Sequence, residues 1–420
     1  MTDAGQAPPP PPELDSQLAA LVPCEIVVGL PTYNNAGTVP AVAAAVRVGL
    51  AAHFADVSAA LVNVDAGSMD QTPELLAAEA GMSVVLARHE APSVERAAVP
   101  FHGVPGRDAA LRVLFDVARR LNARVLVLLE ADVTSVTEAW IERLARPVWE
   151  AKADLVSPVY VRHRHEGTMT NLILAPLVRT LFGRRLRQPF GGAFAVSRHL
   201  LDHVLAHPLR PTTGRDRMDL WLTGTAIADG FAVWEAWLGP RHVESRTRTT
   251  DLPTMLAQSL GAVFTVMDRD AEFWLGVTGS EPLSTVGERA RPPAALGTVS
   301  AERMIDAFRR GMRDLVEVWE LILAPETLGR VLSLDMRDVA TCRFPDRLWA
   351  HVVFDFALGH HHGVVHREHL LRSLVPLYLG RTAAFVATTQ STDEVGTDAA
   401  LERVGAAFEA QKLYLTERWR

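Results

Sequence analysis

Two acidic residues, Glu130 and Asp132, are separated by one alanine and come at the end of the apolar run 125–129. The run has the length of a buried strand, so both carboxylates are expected at a strand end. Carboxylates in this arrangement can converge on one divalent ion, and Mg²⁺ or Mn²⁺ prefers such oxygen ligands together with phosphate oxygens. The alternative is a solvated acidic strand end, with Thr137 capping the next helix.

Short apolar runs alternate with helical patterns through the first 250 residues. One helical pattern is formed by apolar residues at three- and four-residue spacing, namely Val39, Val42, Ala43 and Val46. Alternation of this kind predicts a parallel α/β sheet with helices on both faces. The expected strands are 25–31, 61–65, 83–88, 124–129 and 154–161.

Polar residues gather where these expected strands end, and ligands of parallel α/β sheets bind beyond the carboxyl ends of the strands. They are Tyr33, Asn34, Asp65, Ser68, Arg88, Glu130 and Asp132. Asn34 and Asp65 also suit strand-to-helix turns, so a purely local role stays open for both. The clustering predicts a binding site at this edge of the sheet.

Composition limits the class of protein. The chain has 420 residues, 48% of them hydrophobic, and a formal charge of −7, which argues against a general nucleic-acid binder. Its two cysteines, Cys24 and Cys342, lie far apart, which fits a reducing, cytoplasmic location. No stretch reaches the roughly 18–20 apolar residues of a membrane span, and the N-terminus has no signal-peptide pattern.

Three segments are expected along the chain. Residues 1–22, with five consecutive prolines, are expected to be a disordered tail. Residues 23–250 form the predicted α/β domain. Helical periodicities such as 304–323, 347–358 and 368–389 predict an α-helical region over 251–420, large enough to offer a homodimer interface.

Three short motifs resemble those of nucleotide-sugar-dependent glycosyltransferases of the GT-A fold, which are family-2-like. They are Leu30-Pro31-Thr32-Tyr33-Asn34-Asn35, Asp65-Ala66-Gly67-Ser68-Met69-Asp70 and Glu130-Ala131-Asp132. The resemblance implies a Rossmann-like, mostly parallel sheet and a divalent metal, Mg²⁺ or Mn²⁺. It also implies nucleotide contacts from Leu30, Pro31, Tyr33, Asn34, Asp65, Ser68 and Ala131, and metal ligands Glu130 and Asp132. The narrower group described next adds Arg107 as a nucleotide contact and His242 as a third metal ligand.

A narrower resemblance is to the mannosylglycerate synthase and glucosyl-3-phosphoglycerate synthase group. It is carried by segments 106–112, 162–171 and 187–194, and by His242 after Leu238-Gly239. It implies retaining transfer of glucose or mannose to glycerate or 3-phosphoglycerate, giving a compatible-solute-like glycoside. The implied catalytic residues are Arg107, Asp132, Gly191, Gly192 and Asp219, and the implied acceptor contacts are Arg162, Thr170, Asn171 and Arg187.

This sequence departs from the pattern of the group at Glu130, Asn35 and Ala193, where relatives often carry aspartate or another acid. The departures keep a non-catalytic nucleotide-sugar-binding protein as an alternative. An inverting transferase acting on a lipid phosphate or polysaccharide is a second alternative. The identities of the donor and the acceptor stay open.

An arginine-rich strip lies between residues 162 and 187, where a single acid, Glu166, accompanies six arginines. They are Arg162, Arg164, Arg179, Arg184, Arg185 and Arg187. Guanidinium groups pair with carboxylates and phosphates, so the strip favours an anionic acceptor. A solvated basic helix face is the alternative for Arg179 and Arg184. The histidines 360–362 are expected to lie in a polar loop.

Overall fold

The computed structural model describes residues 12–21, 23–79, 81–91, 103–206, 218–244, 251–293 and 300–420. The chain divides into two compact units. The first comprises residues 1–161, 190–250 and 283–291, and the second comprises 162–189, 251–282 and 292–420. The division differs from the predicted single boundary at residue 250, because 162–189 belongs to the second unit and 283–291 to the first.

The first unit contains an eight-stranded sheet within the described residues, in the order β3-β2-β1-β4-β6-β5-β7-β8. Pairing is parallel except that β6 runs antiparallel to both of its neighbours. The strands are β1 Ile26–Thr32, β2 Ala59–Asp65, β3 Ser83–Arg88, β4 Val125–Leu128, β5 Leu155–Val161, β6 Phe194–Ser197, β7 Val233–Pro240 and β8 Ser284–Val286. The predicted α/β fold with a mostly parallel sheet is confirmed. The expectation that strands disappear after residue 250 is wrong for β8.

Helices accompany the strands of the first unit. They span Pro12–Ala19, Val39–His53, Thr72–Ala77, Arg107–Arg120, Glu138–Trp149, Arg198–Ala206 and Met218–Ala228. The predicted apolar face of the fourth helix, which includes Leu111, Leu114 and Phe115, is fully buried. Gly49 marks a close approach of two helices, since a Cβ there would lie 2.8 Å from Ile141 Cγ1.

The expectation of a disordered tail is wrong for residues 12–19, which form a helix; residues 1–11 lie outside the described residues. Leu14 and Leu18 are four residues apart and therefore lie on one helix face, where both are buried. Gln17 from the same helix exchanges two hydrogen bonds with the backbone of Leu86 in β3. Burial of this apolar face stabilises the helix despite its proline-rich surroundings.

The second unit is helical throughout its described residues, which confirms the predicted helical C-terminal region. Its helices are the π-helical turn Thr170–Leu174, then Ala175–Phe182, Leu252–Arg269, Ala271–Trp274, Ala301–Asp314, Val316–Ile322, Pro325–Leu332, Asp346–His361, Arg367–Ser373, Val375–Thr389, Glu394–Ala410 and Lys412–Trp419. His360 and His361 end a helix, so the predicted loop is wrong there; His360 is buried beside Phe264.

One helical stretch among the described residues, Arg367–Thr389, is long and apolar enough to cross a membrane by length and composition. However, 72% of its most apolar window is buried inside the protein. Gly380 in this stretch is so close to Phe308 that a Cβ there would lie 2.5 Å from Cδ2 of the phenyl ring. This burial identifies it as a core helix of the second unit.

Candidate active site

Asp65 ends β2, and its carboxylate organises the loop that follows. Thr32 Oγ1 donates to Asp65 Oδ1 at 2.9 Å, and the backbone N–H groups of Gly67 and Ser68 donate to Oδ2 at 2.9 and 2.7 Å. Ser68 Oγ donates to Oδ1 at 2.5 Å. Asp65 therefore stabilises the turn after β2, which is the local role that the sequence left open. This role is compatible with a contact to a nucleotide.

Asn34 joins this loop to the loop after β1. Its φ of +53° is left-handed, a conformation that asparagine tolerates better than most residues. Its backbone N–H donates to Ser68 Oγ at 2.7 Å, and its Oδ1 accepts from the backbone N–H of Met69 at 2.8 Å. The next residue, Asn35, accepts through Oδ1 from the N–H of Tyr33 at 2.8 Å. Hydrogen bonds therefore join the two predicted nucleotide-binding loops to each other.

A small pocket lies at the carboxyl ends of β1 and β4. It is lined by Pro31, Asn35, Gly103, Val104, Arg107, Leu129, Glu130, Ala131 and Asp132. Five predicted site residues thus line one cavity, and Leu30 is buried in the core cluster beside it. The pocket thus lies where ligands of parallel α/β sheets bind, beyond the carboxyl ends of the strands.

Arg107 begins the helix Arg107–Arg120, after Gly106 in the left-handed region at φ +60°. Its side chain is 4% exposed, and Nη1 donates to Asp219 Oδ1 at 2.6 Å. Nη2 donates to the carbonyl oxygen of Gly192 at 3.1 Å. Burial lowers the pKa of Arg107, but attraction to Asp219 and Glu130 outweighs it and raises the pKa above its ordinary value. Arg107 is therefore a buried, ion-paired residue and not a surface arginine.

Asp219 belongs to the first turn of the helix Met218–Ala228 and is also 4% exposed. Its Oδ1 is used by Arg107, whereas Oδ2 is buried without a hydrogen-bond partner among the described residues. A buried carboxylate oxygen without a partner is costly and is suited to a ligand hydroxyl. The charged residues Arg215, Asp216 and Arg217, which precede this helix in the sequence, lie outside the described residues.

Glu130 is held by Arg241, a residue that the sequence reasoning missed. Arg241 Nη2 donates to Glu130 Oε2 at 2.5 Å, and the two side chains are 18% and 10% exposed. Gly192, with φ +82°, lies directly under the same carboxylate, since a Cβ there would come within 2.3 Å of Glu130 Cδ. Gly191 is buried beside it. Arg241 directly follows β7 and precedes the predicted ligand His242, and this position is the signal that would have identified it.

The three predicted metal ligands are not gathered around a common point. The described residues contain no group of three or more His, Cys, Asp and Glu placed to hold an ion. Glu130 is engaged by Arg241, and His242 is exposed, with its backbone bonded to Thr134 and Ser135. Asp132 lines the pocket and is buried. Mg²⁺ is usually bound by one or two carboxylates together with phosphates of the substrate. The Asp132 carboxylate therefore fits an ion that the donor phosphates also hold.

The four predicted acceptor residues belong to the second unit. Thr170 and Asn171 open its π-helical turn, a rare geometry that is common at functional sites. Arg162 packs on Gly167, where a Cβ would lie 2.7 Å from Arg162 Nη1. Arg187 is exposed.

Several arginines of the strip are used internally, which reduces its positive field. Arg179 is buried, and its guanidinium bonds Glu402 at 2.9 Å and Glu409 at 2.6 Å. Arg184 pairs with Glu281, and Arg164 bonds backbone carbonyls of 389 and 392. The alternative of a solvated helix face is therefore wrong for Arg179, which is a buried ion-paired residue of the second unit.

No family model and no curated protein matches the sequence. Among solved structures, the chain is similar to glucosyl-3-phosphoglycerate synthase from Mycobacterium tuberculosis. The complex with Mn²⁺, UDP-glucose and phosphoglyceric acid is 25% identical, with 67% of this chain and 92% of that chain covered and a TM-score of 0.43. The complex with Mg²⁺ and UDP is 26% identical over 62% and 84%, also with a TM-score of 0.43. A mycobacterial protein is 26% identical over 61% and 78%, with a TM-score of 0.44.

Proposed function

We propose that this chain is a glycosyltransferase that moves a hexose from a nucleotide sugar to a small anionic acceptor. The observation that carries the proposal is the buried contact of Arg107 with Asp219 and the Gly192 carbonyl, in a pocket at the carboxyl ends of the strands. It places a fixed cation at a helix N-terminus, where backbone N–H groups also favour phosphate. A cation so placed is suited to a leaving diphosphate.

The proposed reaction breaks the bond between sugar C1 and the diphosphate oxygen, which keeps the electron pair. The acceptor hydroxyl oxygen forms the new bond to C1, and in the retaining course its proton passes to a phosphate oxygen of the leaving group. Arg107 stabilises the charge that develops on the diphosphate, which is worth several kcal/mol in a site poor in water. Asp219 Oδ2 accepts a hydrogen bond from a sugar hydroxyl, which satisfies its buried lone pairs.

A divalent ion, Mg²⁺ or Mn²⁺, belongs to the proposal as the sequence resemblance implies. When bound, it neutralises phosphate charge as a Lewis acid. Asp132 is the side chain proposed to hold it, together with the phosphates of the donor. The sequence resemblance alone would add Glu130 and His242 as further ligands, and the ion pair of Glu130 with Arg241 weighs against Glu130.

The proposal that the acceptor is an anion rests on residues of the second unit. We propose that Arg162, Thr170, Asn171 and Arg187 contact a carboxylate or phosphate, as in transfer to glycerate or 3-phosphoglycerate. Arg162 and Arg187 are candidates because a planar guanidinium pairs well with a carboxylate or a phosphate. The structures of similar proteins with phosphoglyceric acid support the same acceptor class.

The experiment is a panel of UDP and GDP sugars against glycerate, 3-phosphoglycerate and neutral sugars, with Mg²⁺, Mn²⁺ or EDTA. Release of nucleoside diphosphate that requires both acceptor and metal supports the proposal. Asp132→Asn should abolish the stimulation by metal, whereas Asp306→Asn, a matched change at an exposed site, should not. Release that needs neither acceptor nor metal would refute the proposal. Binding of nucleotide sugar without turnover on any acceptor would favour the non-catalytic alternative.

A further inference from the structure

The ion pair between Glu130 and Arg241 points to a different role for Glu130 than metal ligation. We propose that Arg241 is a second diphosphate-binding residue, and that Glu130 is an internal anion that occupies Arg241 until the diphosphate of the donor replaces it. The inference rests on the proposed function, because it concerns how the same site receives its donor. Asp132 then remains the side chain that is proposed to hold the divalent ion.

The first argument is the position of the Glu130 carboxylate. It lies against the backbone of Gly192, close enough to exclude even a Cβ, and bonds Arg241 at 2.5 Å. Gly191 and Gly192 are among the catalytic residues that the sequence resemblance implies. A group that enters this space therefore has to displace the carboxylate.

The second argument is charge. Glu130 faces Arg241 directly and is attracted to Arg107, which donates to the carbonyl of the same Gly192. A carboxylate flanked by two guanidinium groups is a poor ligand for a divalent ion, because the cations already neutralise it and repel a third positive charge. The same surroundings suit a phosphate oxygen, which pairs with guanidinium in the same geometry as a carboxylate.

The third argument is the hydrogen-bonding capacity of Arg241. Its Nε is buried and has no hydrogen-bond partner among the described residues. The guanidinium also lies 5.5 Å from the ring centroid of Tyr160, which limits its movement. An arginine fork with one N–H donor unused can donate to a second anionic oxygen, so a diphosphate satisfies it better than Glu130 alone.

The test compares binding of UDP and GDP, measured by titration calorimetry in EDTA and in Mn²⁺. Glu130→Gln keeps the shape of the side chain but removes the competing charge, so diphosphate binding should tighten on the order of tenfold in EDTA. In Mn²⁺ it should also tighten, and stimulation by the ion should persist. Arg241→Gln should weaken binding about tenfold or more under both conditions. Glu138→Gln, an exposed acid-to-amide change, should alter neither.

Arg241→Gln leaves a buried carboxylate without its partner, so the variant can fail to fold. The double variant Glu130→Gln with Arg241→Gln removes both charges and keeps the test valid: it should fold and bind diphosphate more weakly than Glu130→Gln alone. If Glu130→Gln instead weakens binding in Mn²⁺ and changes nothing in EDTA, Glu130 is a metal ligand and the inference is overturned while the proposed function stands. If neither diphosphate binds under either condition, the proposed function itself is overturned.

Discussion

Replacement of Arg107 by methionine should both destabilise the first unit and remove diphosphate binding. The Arg107–Asp219 pair is 4% exposed on both sides and spans 2.6 Å. At an effective dielectric constant of about 20, two unit charges at this distance attract by roughly 6 kcal/mol. Much of this gain offsets the desolvation of both groups. However, removal of one partner leaves a buried charge and costs about 3–5 kcal/mol.

The double variant Arg107→Met with Asp219→Leu separates the two effects. It leaves neither buried charge, so its free energy of unfolding should recover to within about 2 kcal/mol of the wild type. Diphosphate binding should remain lost, because the cation is still missing. Urea unfolding followed by circular dichroism measures stability, and calorimetry with UDP or GDP measures binding.

Two results would refute this reasoning. If the free energy of unfolding of Arg107→Met lies within about 1 kcal/mol of the wild type, Arg107 and Asp219 do not depend on each other as a buried ion pair. Wild-type affinity for diphosphate in a folded double variant would show that Arg107 does not contact the phosphates. Recovery of stability without recovery of binding is the expected combination.

Other expected outcomes concern the second unit. Gly380→Ala places a Cβ 2.5 Å from Phe308 Cδ2 and should cost about 1–3 kcal/mol in urea unfolding. Gly329→Ala, with open space around a helical glycine, should instead stabilise by up to about 1 kcal/mol, and equal effects of the two changes would contradict the packing argument. Burial lowers the pKa of His360 from 6.5 to about 4. The unfolded chain therefore takes up this proton first, so stability should be lost as pH falls from 6.5 toward 4, and His360→Leu should flatten that loss in urea titrations across this range.

The sequence predicted the parts of the fold that carry a regular pattern. β1 to β5 are apolar runs of four to seven residues between helical patterns, and each was expected within a few residues of its observed bounds. β6 and β8, of four and three residues, are too short to show a period of two. Their strand character depends on pairing with neighbours that are distant in sequence.

The sequence did not reveal which charged residues form ion pairs with each other. Arg179 looked like part of a basic surface, yet Glu402 and Glu409 neutralise it from more than 220 positions away in the chain. Arg241 looked unremarkable beside His242, yet it holds Glu130 across 111 positions. Counting charges along a chain gives their number, whereas only the fold shows which charges neutralise one another.

Gln17 has a consequence for solubility. β3 lies at one end of the sheet order, where an open strand edge is a template for intermolecular pairing. The amide of Gln17 accepts from the Leu86 N–H at 2.9 Å and donates to its carbonyl at 3.1 Å, as a neighbouring strand would. The N-terminal helix therefore covers part of this strand edge, and we expect a truncated chain that begins after residue 21 to self-associate through the edge.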